Sequence, residues 1–213
     1  MSKLFSFSRR AMLLAGLAAA VSLTACDKAG KPAAIGTTPA AKFNSVDITG
    51  AKYARKLALT DFDGKPRQLS DFKGKVVFVF FGFTQCPDVC PTTMAELAEV
   101  RKRLGADGER LQGVFVTVDP ERDTAEVLKA YLQSMDASFV GLRGSLAETE
   151  AVASEFKVFY QKVPTKSGGY TMDHTAGAFV FDTDGQVRLF SRYGSKVDDL
   201  TADIKQLLAS AKR

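Results

Sequence analysis

Two near-continuous apolar runs constrain this chain more than any other feature: KVVFVFFGF, Lys75 to Phe83, and GVFVTVD, Gly113 to Asp119. Neither alternates polar with apolar residues, so each reads as a strand buried on both faces. Between them, about Pro91 to Leu104, the residues Met94, Leu97, Ala98, Arg101 and Leu104 keep a helical spacing with one polar break. A helical crossover between two buried strands argues for a parallel pair, because antiparallel neighbours need only a tight turn. The class expected is therefore α/β, a sheet covered by helices.

The rest of the chain extends that layer. TAEVLKAYLQ, Thr124 to Gln133, predicts a second helix with Asp123 or Thr124 as its N-cap. LAETEAVASEFKV, Leu146 to Val158, predicts a third, and VDDLTADIKQLLASA, Val197 to Ala211, a closing one. GAFVFDTDGQVRLFSRY, Gly177 to Tyr193, reads as a hairpin turning at Asp184-Gly185, and Asp63-Gly64 marks an earlier hairpin ahead of the first buried run. Strand, helix, strand, helix, helix, hairpin, helix is a thioredoxin-like order, here with an N-terminal β extension. Such a layer accounts for one domain, about residues 46–213.

The N-terminus has the pattern of an export signal. Lys3, Arg9 and Arg10 precede the apolar stretch Ala11 to Ala25, too short to span a bilayer and suited to a signal-peptide core. LTAC, Leu23 to Cys26, resembles a bacterial lipobox, which implies cleavage before Cys26 and a lipid on its sulfur. SRRAML, Ser8 to Leu13, is also similar to a twin-arginine signal. Residues 26–45, rich in Ala, Gly, Pro, Thr and Lys, read as a flexible tether. Asp27 resembles an inner-membrane retention signal of some Gram-negative lipoproteins, so the domain is expected at the periplasmic face of the inner membrane, lipid-anchored. The formal charge is +5, and three of the 29 basic residues but none of the 24 acidic ones lie before Cys26. The mature chain is thus nearly neutral, which argues against a nucleic-acid partner.

Cys86 and Cys90 carry the chemistry to be explained. They fall where the first central strand ends and its helix begins. Pro91 suits the first helical position, since it has no N–H to leave unpaired. That makes Cys90 an expected N-cap, and the positive end of a helix favours a nearby thiolate. A disulfide between the two would close a loop of five residues, worth about 2 kcal/mol, the low end for such bridges. Two other readings stay open: a redox-active dithiol in an oxidising compartment, and a soft-metal clamp. His174 is the only histidine. In a thioredoxin-like fold the segment before the strand Gly177 to Phe181 faces the cysteine loop, at about the place of the thioredoxin cis-proline. The proline nearest His174 is Pro164. One imidazole beside two sulfurs makes a Cys₂His set. The sulfurs favour Cu(I), and the nitrogen makes Cu(II) tolerable, whereas zinc would want a fourth ligand. Asp173 reads either as a group bonded to the ligand histidine or as a turn residue.

FGFTQCPDVCPTTMAEL, VTVDPERDTAEVLKAYL and DHTAGAFVFDTDGQV together resemble the Sco (SenC) family of copper proteins. The resemblance covers about Ala51 to Leu208. It implies copper binding by Cys86, Cys90 and His174 on a thioredoxin-like fold with an N-terminal extension. It also implies a copper chaperone that delivers copper to, or matures, the binuclear copper site of cytochrome c oxidase subunit II or another copper-protein client. The alternative is a thiol–disulfide oxidoreductase reducing copper-site cysteines. A third reading, a peroxide-reducing enzyme suggested by FTQC before a proline, leaves His174 without a role. Many Sco proteins use a transmembrane helix where this chain has a lipoprotein-like signal. Asp119, Arg122 and Asp123 of VDPERDT read as a capped strand-to-helix turn with no chemical role.

Overall fold

The computed structural model describes residues 42–166 and 168–211. The expected signal segment, Cys26 and the tether up to residue 41 lie outside them. In chain order the elements are β1 (Val46–Asp47), β2 (Ala58–Asp61), β3 (Pro66–Gln68), β4 (Val76–Gly82), α1 (Val89–Arg103), β5 (Leu111–Thr117) and α2 (Ala125–Gln133). They continue with β6 (Val140–Arg143), α3 (Leu146–Phe156), β7 (Tyr160–Pro164), β8 (Tyr170–His174), β9 (Gly177–Phe181), β10 (Val187–Arg192) and α4 (Val197–Ala209). Eight strands form one sheet in the order β1-β10-β9-β4-β5-β6-β2-β3, and β7 and β8 form a separate two-stranded ribbon.

The two apolar runs are its centre. Every residue of β4 and β5 is buried. They pair in parallel from Val76↔Leu111 to Gly82↔Thr117, as a crossover through α1 requires. β9 lies on the other side of β4, antiparallel, with Phe80 opposite Ala178. Alternation along the strands then sorts the core into two layers. Phe80 leans on Phe115, which meets Tyr131 of α2; Cys90 and Leu97 of α1 crowd the same face at Gly82 and Gly113. Phe81 and Phe179 point the other way and pack on Phe156 of α3. The N-terminal β extension covers both edges: β1 pairs with β10, and the β2–β3 hairpin pairs with β6.

The chain enters this sheet from a defined side. Asn44 and Ser45 donate their backbone N–H groups to the carboxylate of Asp203, both at 2.8 Å. Asp203 is buried in α4, so the last two residues expected of the tether are fastened to the domain. Val46 sits opposite Phe190, which pairs with Phe179. Phe179 in turn lies opposite Val79, so β1 begins level with the middle of β4. No helix among the described residues is long and apolar enough to cross a membrane.

Four elements differ from the sequence expectation. β6, buried in its middle, and the β7–β8 ribbon lack long apolar runs. α1 begins at Val89 with Asp88 at the cap position, so Cys90 and Pro91 are its second and third residues. The first four N–H groups of any helix lack an intrahelical acceptor, so a proline fits anywhere in that turn.

Candidate metal centre

β4 ends at Gly82, and the loop Phe83–Asp88 carries Cys86 to the start of α1. A side chain at Gly82 would put its Cβ 2.9 Å from Cys90 Sγ and equally close to Phe80 and Phe115. Glycine is what lets the Cys90 sulfur lie against the strand. Cys90 is fully buried, Cys86 half-buried, and both are free thiols. The amide of Cys90 donates to Cys86 Sγ at 3.4 Å. One of the unpaired N–H groups of the helix start thus points at the Cys86 sulfur. Cys90 itself gains no ease of ionisation: burial pushes its thiol well above the usual cysteine range. The expected N-cap role fails for the same reason as the helix boundary. Cys90 lies inside the first turn, its sulfur turned into the core.

His174 is the last residue of β8 rather than part of a loop. Its ring lies edge-on to Phe80 and Phe83, with centroids 5.9 Å from each. Nδ1 lies 3.1 Å from the Thr175 carbonyl oxygen. A carbonyl only accepts, so Nδ1 carries the hydrogen and Nε2 is left with its lone pair. Nε2 faces Cys90 Sγ at 3.5 Å. Burial lowers the His174 pKa, which keeps the imidazole neutral. Cys86 Sγ, Cys90 Sγ and a His174 ring nitrogen all lie within 4.8 Å of one another. Asp173 is outside this group. It is exposed, and strand alternation turns it away from His174.

The DPERDT segment, read as a simple turn, holds the site together. Asp123 is fully buried and accepts from Thr84 N (3.1 Å), Thr84 Oγ1 (2.6 Å) and Thr117 Oγ1 (2.5 Å). It staples the cysteine loop to the end of β5. Burial raises its carboxyl pKa, against the pull of those hydrogen bonds. Asp119, also buried, accepts from Arg122 Nε and from the Tyr170 hydroxyl. Thr124 caps α2, accepting from Val127 N, as one of the two expected residues. The sequence signal for the larger role was present: two carboxylates and an arginine directly after a fully buried strand are forced partly into the interior.

A thioredoxin-like α/β domain with two free thiols and a neutral imidazole at the end of its central strand defines a class of thiol- and metal-handling proteins. The model of the SCO1/SenC family matches residues 46–209, and the chain belongs to that family. Among its relatives, a SCO2-like protein of Rickettsia felis is 35% identical over 60% of this chain and 63% of its own length. The chain spans less than two thirds of the curated relatives it matches first. The solved structure of Bradyrhizobium japonicum ScoI with copper bound is 41% identical, covering 71% of this chain and 97% of that one, with a TM-score of 0.66. A SCO1/SenC family lipoprotein from Bacillus anthracis is 28% identical, covering 73% and 97%, with a TM-score of 0.61.

Proposed function

We propose that this protein binds one copper ion per chain through Cys86, Cys90 and His174 and hands it to the binuclear copper site of cytochrome c oxidase subunit II, or matures that site. The observation that carries the reading is the convergence of two sulfurs and one imidazole nitrogen within 4.8 Å. The donor set suits copper as cargo: two soft sulfurs for Cu(I), and a nitrogen with a free lone pair that makes Cu(II) acceptable. Phe80 and Phe83 wall the site with hydrocarbon. The Cys90 proton, tightly held in the free protein, leaves when a metal takes the sulfur, so binding releases protons. The copper-bound ScoI relative supports copper as the cargo.

The second reading, thiol–disulfide exchange with copper-site cysteines, has its own support in the asymmetry of the pair. Half-buried Cys86 is the sulfur a client disulfide can reach, and buried Cys90 would resolve the mixed disulfide. The substitution His174→Ala separates the two. Cu(I) can stay two-coordinate on thiolates, so its affinity is expected to change little. Cu(II) needs the harder nitrogen, and its affinity is expected to fall on the order of 100-fold or more. An unchanged Cu(II) affinity would put the metal elsewhere. Normal oxidase assembly by this variant at limiting copper would set delivery aside in favour of exchange. Because Nε2 touches Cys90, exchange rates of the variant are a poor control.

The proposal includes the anchor. Residues 1–25 form the signal peptide, Cys26 carries the lipid, and the tether holds the domain at the periplasmic face of the inner membrane. The Bacillus anthracis lipoprotein relative is consistent with that anchoring. Mass analysis of the mature N-terminus is expected to find a lipid-modified Cys26. An intact peptide spanning Ala25 and Cys26 would rule it out.

A further inference from the structure

Copper binding as read above needs His174 and the cysteine pair to meet, yet they sit on separate pieces of structure. The cysteines belong to the main sheet and α1. His174 belongs to the β7–β8 ribbon, which shares no strand pairing with that sheet. Something must hold the ribbon at the right height.

Arg122 touches both pieces at once. Its Nη1 donates to Gln85 Oε1 at 3.1 Å, one residue before Cys86, and to the Tyr170 carbonyl at 2.7 Å, at the start of β8. Its guanidinium carbon lies 3.8 Å from the centroid of the Tyr170 ring, a stacking distance for a planar cation. Nε is fixed by buried Asp119, and Asp119 also takes the Tyr170 hydroxyl at 2.9 Å. From the other element, Lys162 of β7 pairs with Glu121 and lies 4.7 Å from the same ring. Tyr170 and His174 lie on one face of β8, since they are an even number of positions apart along the strand. A grip on Tyr170 is therefore a grip on the face that presents the imidazole.

We propose that Arg122 is a positioning residue for the metal site: with Asp119 and Tyr170 it latches the β7–β8 ribbon to the cysteine loop and so sets the distance between His174 and the two sulfurs. The proposal rests on the Cys₂His reading for its consequence and on the contacts above for its geometry. Without the latch the two sulfurs stay together, because Asp123 and α1 hold them. Only the nitrogen is lost. The latch thus acts on the preference for Cu(II) over Cu(I), not on copper binding as a whole.

Arg122→Met keeps the apolar stem and removes every polar contact. In the metal-free protein, amide exchange across β7 and β8 is expected to speed by about tenfold or more, while β4, β5 and β9 stay at wild-type rates. On loading, Cu(II) affinity is expected to fall about 10- to 100-fold, with its sulfur-to-copper charge-transfer band shifted, and Cu(I) affinity to change less than about threefold. Arg122→Lys should not rescue, because an ammonium cannot stack and bond in three directions at once. Tyr170→Phe keeps the stacked ring and loses only the bond to Asp119; it is expected to move the same two readouts in the same direction by less, and it carries the test if Arg122→Met fails to fold. Unchanged ribbon exchange in both variants overturns the proposal. So does exchange accelerated equally in all strands, or a loosened ribbon with wild-type Cu(II) affinity. His174→Ala run in parallel keeps the two claims apart. If it leaves Cu(II) affinity at the wild-type value, the Cys₂His reading fails, and ribbon exchange in the metal-free protein decides the latch alone.

Discussion

Copper retained after anaerobic loading is expected to fall from one ion per chain to near zero in the double variant Cys86→Ala/Cys90→Ala. The sulfurs are the only soft donors in the group that includes His174, and a single neutral imidazole does not hold Cu(I) against solvent. The loss should not be one of folding. Cys90 is buried and packs as a small apolar side chain, so its truncation costs on the order of 1 kcal/mol, and Cys86 is half-buried. Metal analysis alongside a thermal melt separates the two effects. Full copper stoichiometry in a folded double variant would place the metal outside this cluster.

The largest loss of stability is expected at a residue that touches no metal. Asp123→Ala removes the acceptor of the Thr84 amide, the Thr84 hydroxyl and the Thr117 hydroxyl. Asp123 and Thr117 are fully buried and Thr84 is half-buried. Stranding buried donors costs about 1–3 kcal/mol each at most, and hydroxyls can turn to other partners, so the net is about 3 kcal/mol. For a domain of this size that is a fall in Tm of roughly 6–12 °C. Asp123→Asn keeps one carbonyl acceptor and should cost about 1 kcal/mol. A melt of Asp123→Ala within about 2 °C of wild type would show that the cysteine loop is held by other contacts.

Several parts of this molecule were legible before any coordinates. β4 and β5 announced themselves because a strand buried on both faces keeps few polar positions, none in β4 and only Gln112 and Thr117 in β5. The Asp63-Gly64 and Asp184-Gly185 turns were legible because Gly64 and Gly185 take positive φ, +79° and +76°, which glycine alone adopts without strain. β7 escaped because YQKVP is half exposed, with no apolar alternation to read. The start of α1 was misplaced because Pro91 is compatible with more than one position in a first turn.

The site divides in the same way. The spacing of Cys86 and Cys90 and the break from apolar strand to helix are local, so the sequence alone determined that two sulfurs stand at the end of the central strand. What they face was not local. His174 lies 84 residues from Cys90, and their meeting depends on β9 pairing antiparallel with β4 and on a ribbon outside the sheet. Asp119, Arg122 and Asp123 read as a plain turn because their position after a buried strand shows that they turn partly inward but not which partners, 37 to 51 residues away, they meet. Which sulfur the helix start would favour was not legible either, and Cys90 is not the one. A helix start favours a thiolate over a few ångströms of exposed terminus, but the packing of Gly82, Phe80 and Phe115 around that sulfur removes the water a charge would need, and desolvation is the larger effect.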